Sequence, residues 1–396
     1  MPTLVSGIRR TDANSSLVKP EVYEAIFNFK PYQTPIQQYF MANRTAKFGT
    51  GNPIFQLQED VLVPHAFNST AALTGGATSE NGWDVGAANI ALMQVGTVIH
   101  NTTNQETYYV DTLPGGTSVD ITKVGSGNIT ASLTTDDLLI IGSAFAEGSA
   151  KATAVSTVST FPYNHVQIHK KSVYMSGTQM ATVNYGGSDW TNQRMKATEE
   201  FKLDLERAWV MGTRHVIAAG GGVGRRLFSG GMLDTTSIGV SNRSQFTGSA
   251  FASETYFFNT FCKNLYAKGS NMKTMYCGAD AIIGINDFAK VKQQTKVKEK
   301  EYGVDVTQIL TPFGGAGLVW HPLLEGYYAN WILAMDRDNF MKYVYLTGNG
   351  VNRDMQYEDN IQTTGEDSRQ AQYLAEVGLH LGGGSQGVHR VLYPGA

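Results

Sequence analysis

One segment constrains this chain more than any other. From Lys170 to Arg214 a strand-like KKSVYMSGTQMATVNYGG runs straight into SDWTNQRMKATEEFKLDLERAWVMGTR, which reads as a single long helix. Ser188 and Asp189 stand where an N-cap belongs, just after the helix-breaking pair Gly186-Gly187. Trp190, Arg194, Ala197, Phe201, Leu205, Ala208 and Trp209 then recur at steps of three and four, which puts the apolar members on one stripe. Lys196–Glu200 and Lys202–Glu206 are opposite charges at i,i+4, worth a few tenths of a kcal/mol each. Gly212 lies near the exit. Periodicity alone describes an ordinary surface helix. At about 1.5 Å per residue, however, this one is roughly 36 Å long, enough to organise a domain. Trp190, Phe201, Leu205 and Trp209 are therefore the candidate structural residues, with Phe201 and Leu205 mid-stripe.

The rest of the chain must supply what that helix packs on. At 396 residues it can bury a large core and divide into two or three domains. Charged residues are only 16%, while Gly, Tyr, Phe, Thr, Ser and Asn abound. Such a surface suits broad contact with other proteins, because little charge must be desolvated. A net charge of -3 gives no basic excess for sequence-independent nucleic-acid binding. The two cysteines, Cys262 and Cys277, form neither a C-x-x-C pair nor a disulfide framework. The first residues lack the apolar region of a secretory signal, so the sequons at Asn68, Asn101, Asn128 and Asn242 read as chance. No apolar run is long enough for a membrane helix.

Residues 1–50 read as an extended arm, broken by Pro20, Pro31 and Pro35, with one short helical pattern at Glu21–Phe29. Residues 51–170 are a β-rich excursion in which QVGTVIH, ETYYVDTL, TSVDITKV and DLLIIGSAF predict four strands of a small subdomain. Gly75-Gly76 and Asn81-Gly82 punctuate it as turns. After the long helix, Ser253–Lys268 predicts a second helix ending at Gly269, and GADAIIGINDFAKVKQQ a third. KTMYCG, GVDVTQIL, AGLVWHPLL, NWILAMD and MKYVYL predict strands, so this part is mixed α/β. The tail from Arg369 to Tyr393 predicts one or two closing strands.

Chemistry-bearing motifs are sparse. His165 and His169 are four apart, which on a helix suits a shared metal, but their β-branched, alternating flanks favour a strand. Gly220–Gly224 invites a phosphate-loop reading, yet it lacks the Lys-Ser/Thr pair and follows a helix end rather than a strand. A turn where chains approach closely explains it as well. Lysines 290, 292, 296, 298 and 300 suit a solvated helix end and loop, or contact with an acidic neighbour or DNA. No nucleophile–base or paired-carboxylate signature stands out. The expectation is a protein without catalytic role, cofactor or metal.

Taken in order, TPIQQYF, PIFQLQEDVL, IIGSAFAEGS, VYMSGTQMATVNYGG, EEFKLDLERAWVMG and GRRLFSGGM resemble the major capsid proteins of tailed bacteriophages with the Hong Kong 97-type fold. The resemblance spans nearly the whole chain and implies an α+β capsid fold. It implies an N-terminal arm over 1–50 and an E-loop over 51–170 with an inserted β-subdomain at about 90–150. A peripheral domain would cover 171–251 with its spine helix at 188–214, an axial domain 252–350, and return strands of the peripheral domain 351–396. It further implies self-assembly as hexamers and pentamers into an icosahedral head around double-stranded DNA, met by non-specific inner-surface contact. Assembly in the bacterial cytoplasm, portal and scaffolding partners, and room for a decoration protein come with it. Two other classes stay open on residues alone: a surface-layer or adhesin-like structural protein, suggested by the Thr/Gly/Asn-rich strands, and a nucleotide-binding enzyme using Gly220–Gly224.

Overall fold

The computed structural model describes residues 34–396, except 133–134, 150, 153, 184–187, 221–223, 249–250, 293–295, 298–306 and 396, with backbone only at 289–292, 296–297 and 307. The helical pattern at Glu21–Phe29 and lysines 298 and 300 of the lysine cluster lie outside the described residues, as does the middle of Gly220–Gly224. The chain forms two compact units: residues 58–161, and residues 1–57 together with 162–396.

The larger unit is built on two sheets. In the first, Ser368–Leu381 is the central strand. It pairs antiparallel with Gln167–Ser176 on one side and Met341–Gly348 on the other. Lys47–Thr50 adds a parallel edge to Met341–Gly348, with Phe48 opposite Val344. The second sheet runs in the order Arg243–Phe246, Arg390–Pro394, Ile332–Met335, Met272–Cys277, Gly314–Trp320, Thr307–Thr311, Lys296–Val297. Its inner strands are buried along almost their whole length, because it has a core on each face. One core holds Phe201, Leu205, Trp209, Tyr276, Leu333, Tyr343 and Leu379, which join both sheets to the long helix. The other packs Met275, Leu318 and Ile332 against Phe257, Phe261, Leu265 and Ile285 of two helices.

Three local readings change. The stretch after Ser176 is not strand: Gly177–Ala181 is a helical turn, capped by the Ser176 hydroxyl accepting from the Gln179 N–H. Ser and Thr hydroxyls offer the backbone this alternative to a ladder. The helix beginning at Glu254 has a π-helical turn at Phe257–Cys262 and reaches Leu265. Pro35 does not break the chain but opens a helix, Pro35–Ala42. Proline at the first helical position loses no needed N–H, and its fixed φ suits the helix.

The smaller unit is one antiparallel sheet in the order Ala66–Asn68, Asp137–Ser143, Thr97–Asn101, Glu106–Gly115, Ser118–Lys123, Ser79–Asp84. Its four inner strands coincide with the four sequence runs. The edges were not legible. Asn81-Gly82 is a bulge inside Ser79–Asp84, where Gly82 has φ +73° and its N–H is held by Asp120, rather than a turn between strands. Leu73, Trp83, Ile99, Tyr108, Val110, Val119 and Ile121 give the unit its own core.

Candidate functional site

The long helix runs Asp189–Met211, and its buried residues are Trp190, Ala197, Phe201, Leu203, Leu205, Glu206, Trp209 and Val210. Trp190 packs with Val173, Met175, Ala197 and Ala371 under the Arg369 guanidinium, 4.7 Å from its ring. Phe201 stacks on Tyr373 at 5.9 Å, and the Tyr373 hydroxyl accepts from Thr198 one turn earlier on the helix. Leu205 is fully buried. Trp209 meets Phe40 and Tyr343 edge-on at 5.2 and 5.6 Å. All four sequence-predicted residues therefore face the subunit's own interior. At the exit, a Cβ on Gly212 would sit 2.3 Å from the Ala208 carbonyl and 2.5 Å from that of Ser229, so only glycine lets the chain turn there.

The helix's charge pairs are not those read from i,i+4 spacing. Glu200 pairs with Lys171 of the neighbouring strand at 2.8 Å. Glu206 leaves the solvent side entirely. The last two turns are enclosed on more than one side, by the helix Pro35–Ala42 as well as the sheets, so a residue off the stripe is buried too. Its Oε1 accepts from the Ile36 N–H at 2.9 Å and from His321 Nε2 at 3.0 Å, and its Oε2 from the Gln37 N–H at 2.9 Å. Both side chains are wholly buried. His321 Nδ1 accepts from the Leu323 N–H, which leaves Nε2 to carry the proton given to Glu206. Ile36 and Gln37 follow Pro35 in the first turn of that helix, where N–H groups have no partner within their own helix. Glu206 thus ties the helix Pro35–Ala42 to the long helix and to the loop after Gly314–Trp320. Sequence reasoning missed this carboxylate. The signal was there in Leu203 and Val210, apolar residues near Glu206 but off the predicted stripe.

A second buried polar node fastens the return of the excursion. Asn164 donates to the Gly230 and Leu379 carbonyls and accepts from the Gly230 N–H. His165, in the same short strand, is buried, with Nδ1 3.2 Å from the Phe228 carbonyl oxygen; His169 lies in the next strand. No group of three His, Cys, Asp or Glu suited to a metal occurs among the described residues. Gly220–Gly224 lies between the strands His215–Ile217 and Arg226–Phe228 of a hairpin. Among the described residues no helix is long and apolar enough to cross a membrane.

Two further histidines set a pH dependence. His389 is fully buried, its Nδ1 accepting from the Asp336 N–H and its Nε2 facing the Gly382 carbonyl, and burial depresses it to about 4. His380, packed on Phe55, is likewise depressed by burial to about 4. Below about pH 6.5 the unfolded chain takes up these protons and the folded chain does not, so stability falls as pH drops towards 4. Each histidine contributes a slope of about 1.4 kcal/mol per pH unit in that window. Urea midpoints at pH 7 and pH 5 should differ accordingly, and His389→Gln should remove about 1.4 kcal/mol per pH unit of the slope, to which His169, also depressed by burial to about 4, adds a share of its own. A flat profile between pH 6.5 and 5 would contradict the buried, neutral assignment.

A long helix laid on a sheet, a mixed sheet buried on both faces behind it, and a β-rich unit inserted before the helix together make the Hong Kong 97-type shell-subunit fold. The model of the SU10 major capsid protein family matches residues 7–385, and the chain belongs to that family. No curated protein matches the sequence. Among solved structures, the capsid of a native GTA particle is 10% identical over 98% of this chain and all of its own, with a TM-score of 0.47. One from Mycobacterium phage Bobi is 9% identical over 98% of this chain and 99% of its own, TM-score 0.45. The holo-SrpI encapsulin complex from Synechococcus elongatus gives 8%, 98%, 95% and 0.45.

Proposed function

We propose that this chain is the major capsid protein of a tailed-bacteriophage head, assembling as hexamers and pentamers into an icosahedral shell around double-stranded DNA. Family membership supports the shell-forming, structural role. The observation that carries the finer reading is the stem of the excursion. Residues 57–63 and 155–161 have little regular pairing: the bridge Glu59–Thr160 and a few side-chain hydrogen bonds, Gln58 to Ser159 and Thr157 to Val61, join them. Yet they hold out Leu57, Val61, Leu62, Val158 and Phe161, with Leu62 87% and Val158 90% exposed. Ordering such a segment costs about 1–2 kcal/mol per residue. Side chains of this kind recover that cost when a neighbour covers them, and a closed lattice repeats the contact at every copy.

In this reading residues 1–50 are the arm and 51–170 the E-loop, with residues 58–161 as its inserted unit. The long helix is the spine of the peripheral domain over 171–251, 252–350 is the axial domain, and 351–396 returns to the peripheral domain. Trp190, Phe201, Leu205 and Trp209 serve assembly indirectly, by making the subunit rigid enough for identical contacts to recur. Portal and scaffolding proteins are the expected partners, and assembly takes place in the bacterial cytoplasm. Hydrogen exchange tests this. Amides of 57–63 and 155–161 should exchange freely in isolated subunits and become protected in shells. Those of Thr97–Asn101 and Glu106–Tyr109, laddered within the inserted unit, should be protected in both. Equal exchange of the stem in both states would overturn the lattice-contact reading.

A further inference from the structure

Two Asn-Gly pairs occur in this chain, Asn81-Gly82 and Asn349-Gly350. Such a pair carries a chemistry of its own. Once the glycine N–H gives up its proton, the nitrogen can attack the asparagine side-chain carbonyl, and a residue without Cβ leaves that approach open. A C–N bond forms, ammonia leaves with the proton, and a cyclic imide remains. Water then opens the ring at either carbonyl, giving Asp or isoAsp. Both pairs are exposed, and a Cβ on either glycine would meet nothing within 4 Å. Space does not distinguish them, but the glycine N–H does.

At Asn81-Gly82 the nucleophile is tied. The Gly82 N–H donates to Asp120 Oδ1 at 2.8 Å. Asp120 stays ionised, because the Thr112 hydroxyl and this N–H hold it below the usual carboxylate range. A negative charge at that distance opposes loss of the proton, which would set a second negative charge beside it. The flanks are pinned as well. Glu80 accepts from the N–H groups of Thr74 and Gly75, and Trp83, 2% exposed, donates its Nε1–H to the Ala71 carbonyl.

At Asn349-Gly350 the nitrogen is open. Asn349 (φ +51°) and Gly350 (φ +78°) are the central residues of the hairpin between Met341–Gly348 and Val351–Asn352, and both have the positive φ of a type I′ turn. Among the described residues no acceptor takes the Gly350 N–H. The pairs Thr347–Asn352 and Gly348–Val351 close the end of the hairpin, with the Thr347 hydroxyl donating to the Val351 carbonyl. So short an exposed end opens locally at small cost, which frees the Asn349 carboxamide to swing onto the nitrogen.

We propose that Asn349 is a deamidation site of the folded protein, and that Asp120 guards Asn81 against the same reaction. The product matters at Asn349 because isoAsp routes the main chain through the side-chain carbon. A two-residue turn has no room for the added atom, so the pairs Thr347–Asn352 and Gly348–Val351 come apart. Thr347 also packs against the glycines beside it: a Cβ on Gly49 would lie 2.6 Å from its methyl group, and one on Gly51 3.7 Å from its carbonyl oxygen. The change therefore reaches the end of Lys47–Thr50, where the chain leaves for the excursion.

The test is to hold the purified full-length chain at mildly alkaline pH and map its peptides by mass spectrometry over time for amide-to-acid conversion. Labelling by an isoaspartyl methyltransferase scores the isoAsp product. Asn349 should convert about tenfold to a hundredfold faster than Asn81, the factor that a hydrogen bond to a charged group is worth. In Asp120→Ala the Asn81 rate should rise by a similar factor while the Asn349 rate stays as it was. Should that variant fail to fold, Asp120→Asn keeps an acceptor oxygen but loses the charge, and the Asn81 rate should rise by less. Equal rates at the two sites in the folded protein, or conversion of Asn349 only after denaturation, would overturn the proposal. So would an Asn81 rate that neither Asp120 variant moves.

Discussion

Glu206→Ala is expected to give the largest loss of stability of any single substitution on the long helix. It removes the acceptor for the Ile36 and Gln37 N–H groups and for His321 Nε2, all in a site with no access to water. Each buried donor left unsatisfied costs about 1–3 kcal/mol. Three of them amount to a large part of the roughly 5–15 kcal/mol by which a domain is stable. Insoluble expression or a sharply lowered urea midpoint is the predicted result. Glu206→Gln keeps the volume and one acceptor oxygen but turns an NH2 towards a donor, so its loss should be smaller and measurable in soluble protein. A midpoint unchanged in both variants would mean that the helix Pro35–Ala42 is not held by this carboxylate.

The second large effect falls on the aromatic contacts of the same helix. Phe201→Ala and Trp209→Ala each empty a fully buried ring site, at a cost of about 3–5 kcal/mol. Phe201 loses its stack on Tyr373, and Trp209 leaves Phe40 and Tyr343 without their common partner. Leu205→Ala should cost about 2–5 kcal/mol. Trp190→Ala should cost less than the ring losses, since Trp190 keeps some exposure near the helix start. Thermal midpoint and shell yield should fall together across the series. Loss of shells with an unchanged midpoint would place these side chains at contacts between subunits, against their observed burial.

Much of this architecture is legible in the residues because it is written in period. The four inner strands of the inserted unit alternate clearly between turn signals. The helix stripe from Trp190 to Trp209 has no competing pattern. What was not legible depended on partners distant in sequence. Lys202–Glu206 has the spacing of a surface ion pair, and only the arrival of Ile36 and His321, 170 and 115 residues away, turns Glu206 inwards. Pro35 looks like a break until the helix it begins is seen docked on that carboxylate. Asn81-Gly82 has the composition of a hairpin turn, but its neighbour across the sheet makes it a bulge. Contacts between copies, as proposed, would leave a fainter trace still, in exposed apolar side chains such as Leu62 and Val158 that lie outside their own unit's core.

The shell itself is the most direct test. Electron microscopy of the chain, expressed with the scaffolding partner if one is required, should show closed particles of uniform size. The wall should be built from rings of five and six copies, with the long helix running within each subunit beneath the two sheets it joins. A protein that stays a monomer or a small soluble oligomer at concentrations and salt conditions where capsid subunits assemble, even with that partner present, would contradict the account.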